Sequence, residues 1–154
     1  MKPTTVRTAS LLLGIAIGAC VGLGGYTFVY AKGASYLSSD PKACANCHVM
    51  NEQFDGWTHS SHRAVAGCND CHTPANPVGK WTTKAMNGFW HSFYFTTGTF
   101  PEPIRITERN REVTEGACRH CHEAMVSAMA TGHSGHGDEE TACIRCHSSV
   151  GHLH

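Results

Sequence analysis

Four copies of one short pattern, two cysteines three positions apart with a histidine directly after the second, constrain this chain more than anything else in it. They are Cys44-Ala-Asn-Cys47-His48, Cys68-Asn-Asp-Cys71-His72, Cys118-Arg-His-Cys121-His122 and Cys143-Ile-Arg-Cys146-His147. Such a triplet is an attachment site for a c-type haem: the thiols bond the porphyrin and the imidazole reaches its iron. Zinc is the alternative for any single pair, but zinc ribbons need two thiol pairs per metal and make no demand on the next residue. Four pairs, each followed by histidine, therefore favour four covalently bound c-type haems. Attachment of this kind takes place outside the cytoplasm, so the motif-bearing part belongs beyond a membrane.

Eight of the nine cysteines fall in these motifs, and the 154 residues carry 12 Lys and Arg against 12 Asp and Glu. That balance offers no bulk charge for a nucleic-acid partner. Most of the Leu, Ile and Val density lies before residue 31, and the remainder is too poor in aliphatic residues to fold without staples. Bound macrocycles would be those staples. The motifs are too unevenly spaced for a solenoid, so the expected fold is mainly α and irregular, haem-nucleated, with short helices and little or no β-sheet.

Lys2 and Arg7 precede an uncharged run in which Leu11 to Val29 is apolar and glycine-rich. As a helix that stretch rises about 28 Å, enough for a bilayer, whereas a cleavable signal has an apolar region of only about 7–15 residues. The expected organisation is a cytoplasmic 1–8, a transmembrane anchor over 9–31 and a periplasmic haem domain over 32–154, single-pass in the cytoplasmic membrane. Gly14, Gly18 and Gly22 form a small-residue stripe, read either as a helix-packing surface or as ordinary tolerance of glycine in a membrane helix. Cys20 is either the lipid-bearing residue of a processed lipoprotein or an inert membrane cysteine, and the apolar run beyond it favours the second. Tyr26, Tyr30 and Tyr36 suit an aromatic interface belt.

Beyond the anchor, Ser38-Ser-Asp-Pro41 is turn chemistry that delivers the first motif close to the membrane exit. Between the second and third motifs lie Trp81, Phe89, Trp90, Phe93, Tyr94, Phe95 and Phe100, suited to packing on porphyrin faces or to dipping into the membrane interface. In the same interval Lys84 and His91 are seven residues apart and would share a helix face. The charged stretch Thr107 to Thr114 reads as a solvated or docking face, and Thr131 to Glu140 as a polar, histidine-bearing loop.

A low-spin c-type haem takes a sixth ligand in addition to its motif histidine. Besides His48, His72, His122 and His147 the chain has His59, His62, His91, His120, His133, His136, His152 and His154. Supply exceeds demand, with His62 and His152 the better candidates because each lies in a short segment fixed by a nearby motif. Met50, two residues after His48, is either a gap-filling side chain or a thioether ligand that would raise the potential of the first haem.

The anchor, Cys44-Ala-Asn-Cys-His-Val-Met50, the second motif followed by Lys84, the two later motifs and the closing His147-Ser-Ser-Val-Gly-His152 together resemble the NapC/NirT family of membrane-anchored, quinol-oxidising tetrahaem cytochromes. The short carboxy terminus is most similar to that of members serving as the small subunit of cytochrome c nitrite reductase. The resemblance implies Met50 in place of His48 as ligand of the first haem, His152 on the second haem and His62 on the fourth. The third haem would keep His122, with a sixth ligand from a partner chain. It puts Lys84 at a quinol pocket and His91 where members often carry an acidic residue, so His91 either closes the first iron or serves the quinol. The activity implied is menaquinol oxidation, with electrons passed to a multihaem catalytic subunit that reduces nitrite to ammonium in a hetero-oligomer at the quinol pool. Rival readings are a quinol dehydrogenase serving another periplasmic reductase, an electron-transfer adaptor without a quinol site, and a self-contained nitrite or hydroxylamine reductase.

Overall fold

The computed structural model describes residues 3–130 and 142–152. The chain divides into two compact units, one ending at Ser35 and the other beginning at Tyr36. The described residues form helices joined by turns, with no strand among them.

The first unit is one helix, α1, over Pro3–Tyr30, with no buried side chain. Its 28 residues span about 42 Å, long and apolar enough to cross a membrane. It has neither acidic residues in its first turn nor basic ones in its last, so apolar composition rather than charge or capping defines it. Lys32, at a φ of 50°, takes the left-handed conformation just beyond its end.

The second unit consists of α2 (Pro41–Cys44), α3 (Asn51–Thr58), α4 (Cys68–His72), α5 (Pro77–Thr97), α6 (Glu108–Cys121), α7 (Glu123–Ala130) and α8 (Cys143–Cys146). Local chemistry sets most of the boundaries. Asp40 accepts from the Lys42 amide to start α2, Asn76 accepts from Gly79 to start α5, and Thr107 accepts from Asn110 to start α6. Pro77 opens α5, because proline at the first position gives up an amide that has no partner there. Gly98, at a φ of 66°, closes α5 by sending its amide back to the Tyr94 carbonyl. At 21 and 14 residues, α5 and α6 exceed the short helices expected.

Among the described residues no apolar side chain is fully buried. The buried positions are Gly56 and the polar or charged Ser60, Thr73, Thr83 and Lys84. Polar contacts tie the segments together: the Trp57 indole donates to the Ala66 carbonyl at 2.9 Å, and Arg109 at the start of α6 donates to Thr83 of α5 at 3.2 Å. The charged stretch over 107–114, expected to be a solvated or docking face, is exposed at most of its positions, and Arg109 also ties α6 to α5.

Candidate functional site

Each cysteine motif lies on or against a short helical segment. Motif one ends α2 and continues into a 3-10 turn over His48–Met50, motif two is α4, motif three ends α6 and motif four is α8. The helices touch in chain order: α2 meets α4, α4 meets α6 and α6 meets α8. The contact of α2, which ends in Cys44, with α4, which begins at Cys68, puts the first two motifs side by side.

Two histidine pairs form across this ladder. The rings of His72 and His152 are 6.0 Å apart between centres, and those of His62 and His122 are 6.1 Å apart. Two imidazoles on opposite sides of one iron have ring centres about 6 Å apart, from two metal–nitrogen bonds of about 2 Å and about 1 Å from each nitrogen to its ring centre. Both pairs fit that requirement. His152 is further oriented by its Nδ1, which donates to the Gln53 carbonyl at 2.9 Å and leaves Nε2 for another partner. Burial, then the neighbouring His152, pulls His72 down to about 4, so its ring is the neutral imidazole that binds metal.

The pairing differs from the expectation in one respect. The resemblance assigned His62 to the fourth haem, but His62 stands against His122 of motif three, not against His147. His152, assigned by the resemblance to the second haem, has its ring beside that of His72. His48 is exposed and Met50 half-buried on the same 3-10 turn, so the alternatives for the first haem remain adjacent. His59 is occupied locally, its Nδ1 lying 2.9 Å from the Asp55 carbonyl oxygen, and His120 is exposed on α6. His133, His136 and His154, with the polar loop over 131–140, lie outside the described residues.

On α5, Lys84 and His91 both turn toward the segment Tyr36–Ser38. Lys84 is 6% exposed and donates to the Ser38 carbonyl at 2.6 Å, with its ammonium 5.2 Å from the centre of the Trp81 ring. His91 Nδ1 shares a 3.0 Å hydrogen bond with the Tyr36 hydroxyl. Between them, one turn from each, Gly88 leaves room for the Tyr36 ring: a Cβ there would lie 3.3 Å from it. Burial lowers the pKa of both Lys84 and His91. Burial also pushes the Tyr36 phenol up to about 12, so it stays protonated. The segment carrying Tyr36 and Ser38 runs directly into α2, so the cluster stands beside motif one.

Tyr36 and Gly88 are the members that sequence reasoning missed. Tyr36 was counted with the interface tyrosines, and Gly88 carried no signal except its place on the same face, four residues after Lys84 and three before His91. Past this cluster, the exposed rings of Phe89, Trp90, Phe93 and Tyr94 pack chiefly on one another, while exposed Phe95 packs on Phe100 with ring centres 4.5 Å apart.

Residues 4–154 match the NapC/NirT cytochrome c family, N-terminal region. The chain is 39% identical over 155 residues to the cytochrome c-type protein NrfH of Wolinella succinogenes, covering 96% of this chain and 85% of that protein. It is 31% identical over 137 residues to the cytochrome c nitrite reductase subunit NrfH of Nitratidesulfovibrio vulgaris, covering 88% of this chain and 80% of the other. Among solved structures it resembles a chain of the cytochrome c nitrite reductase NrfHA complex bound to the HQNO inhibitor, with a TM-score of 0.64 and 28% identity over 93% of this chain and 90% of that one. With its one apolar amino-terminal helix and its covalent haem motifs, the chain belongs to the NapC/NirT family of c-type cytochromes.

Proposed function

We propose that this chain is the membrane-anchored electron-transfer subunit of an ammonia-forming nitrite reductase, which oxidises menaquinol and delivers the electrons to a multihaem catalytic partner. The observation that carries the quinol half is the Lys84–Gly88–His91 face of α5 with Tyr36 on it, beside the first attachment motif. The partner half is supported by the likeness to the NrfHA complex.

Covalent haem held by Cys44 and Cys47, Cys68 and Cys71, Cys118 and Cys121, and Cys143 and Cys146 would supply the one-electron chemistry. His72 with His152, and His122 with His62, would hold the second and third irons from both sides. Met50 or His48 would hold the first. His147 would hold the fourth. Oxidation of one quinol releases two electrons and two protons. Lys84, held in a buried position with a lowered pKa, is suited to donate a hydrogen bond to one quinol oxygen, and the imidazole of His91 to accept a proton from the other. The exposed aromatic half of α5 suits a lipid surface from which quinol is drawn. The chain would lie in the cytoplasmic membrane with its haem domain in the periplasm.

The test is reduction of the purified full chain in detergent by a menaquinol analogue, followed in the haem absorption bands. Lys84→Ala and His91→Ala should each slow quinol-driven reduction by about 10- to 100-fold, as expected when a charged or proton-accepting hydrogen bond worth about 1.5–3 kcal/mol is removed. Reduction by dithionite should be unchanged. Quinol-driven rates equal to wild type in both variants would defeat the site assignment, and no quinol-driven reduction of the wild-type chain would defeat the quinol reading.

A further inference from the structure

The attachment helices differ in how they are started. Asp40 caps α2, Thr107 caps α6, and the Gly67 amide at the head of α4 donates to the Asp70 carboxylate at 2.8 Å, each from a residue within its own segment. The helix of motif four has Ala142 before it and no such local cap. Its first two amides are instead bound by one distant carboxylate: Cys143 donates to Glu115 Oε2 at 2.9 Å and Ile144 to Glu115 Oε1 at 2.8 Å. Glu115 lies on α6, three residues before Cys118, on the same helix that carries motif three.

We propose that Glu115 is a positioning residue that clamps the fourth haem-attachment helix onto the helix bearing the third, and so sets both their mutual geometry and the potential of the haem held there. A bidentate carboxylate on two backbone amides fixes orientation as well as distance, because both oxygens must be reached together. Transfer between two fixed redox groups falls steeply with their separation, so a clamp joining adjacent motifs controls the last step along the ladder. The carboxylate also places a negative charge, half-buried, against the fourth motif. Such a charge favours the oxidised, more positive iron and lowers its reduction potential. The proposal rests on the reading of Cys143–His147 as a haem site, which the haem content of the purified chain tests separately.

The experiment compares the full chain in detergent as wild type, Glu115→Gln and Glu115→Asp, with haem mapped on peptides by mass spectrometry and potentials read by spectroelectrochemical titration. Glu115→Gln keeps one acceptor oxygen but loses the charge, so the expected result is four haems with one potential shifted upward. Glu115→Asp restores the charge and should move that potential back toward wild type. Loss of haem from the Cys143–Cys146 peptide alone would also support the clamp. A Glu115→Gln protein with four haems and a titration superimposable on wild type would overturn the proposal. Hydrogen exchange of the unsubstituted chain gives an arm that needs no variant: the Cys143 and Ile144 amides should exchange slowly, and exchange at the rate of open chain would likewise overturn it. Fewer than four haems in the wild type would instead count against the haem reading on which the clamp rests.

Discussion

At the scale of single residues, the decisive contacts join side chains that sequence distance does not relate. His152 meets His72, and its ring is held by the Gln53 carbonyl 99 residues away. His152→Ala should therefore turn one low-spin haem into a high-spin one, seen as a new high-spin signal in electron paramagnetic resonance. The same change at His59, which is occupied by its own helix, should leave all low-spin signals in place. Glu115 shows how opposing effects resolve. Burial alone would raise its carboxyl pKa, but the Ile144 and Cys143 amides hold the charged form and the net shift is downward. A depressed carboxylate contributes stability that is fully present above its ordinary pKa of 4.5 and is lost only as pH falls through the lower folded value. The clamp is thus closed throughout the neutral range. The cysteine motifs and the candidacy of His62 and His152 were legible from spacing alone, whereas the partner of His62 was not. Eight spare histidines leave the pairing undetermined until tertiary packing brings particular rings together.

Helix α5 carries the argument at the scale of elements. Its start is ambiguous in sequence, since Asn76-Pro77 suits a break and a beginning alike; only the capping bond from Gly79 to Asn76 decides between them. The pairing of Lys84 with His91 on one face was readable from the helical period. What covers that face was not, since Tyr36 comes from a segment more than forty residues earlier. Gly88 is the sensitive position. Alanine there gains about 1 kcal/mol of helix propensity but sets a methyl against the Tyr36 ring, which must move a few tenths of an ångström. Gly88→Ala should leave the thermal midpoint nearly unchanged while raising the quinol KM about fivefold, the equivalent of one hydrogen bond of about 1 kcal/mol disturbed between Tyr36 and His91. An unchanged KM would separate Tyr36 from the quinol site.

For the molecule as a whole, composition and structure agree on an unusual balance. The composition beyond residue 31 offered little to build a core, and no described apolar side chain is fully buried. Hydrophobic burial normally offsets the entropy of ordering a chain, and here the polypeptide alone supplies little of it. The chain expressed in the cytoplasm without haem attachment should therefore show no cooperative unfolding transition by calorimetry, while the haem-loaded protein should show one; a cooperative apo transition would mean that the polypeptide folds by itself.

In the proposed relay, the contact of α2 with α4, of α4 with α6 and of α6 with α8 would have the logic of a series circuit. Position along the sequence would also be position along the conductor, so current drawn at the far end would have to cross every junction between. A chain exported and loaded from its amino end would acquire the input terminal first and the output terminal last, and an unfinished copy would collect charge before it had anywhere to send it.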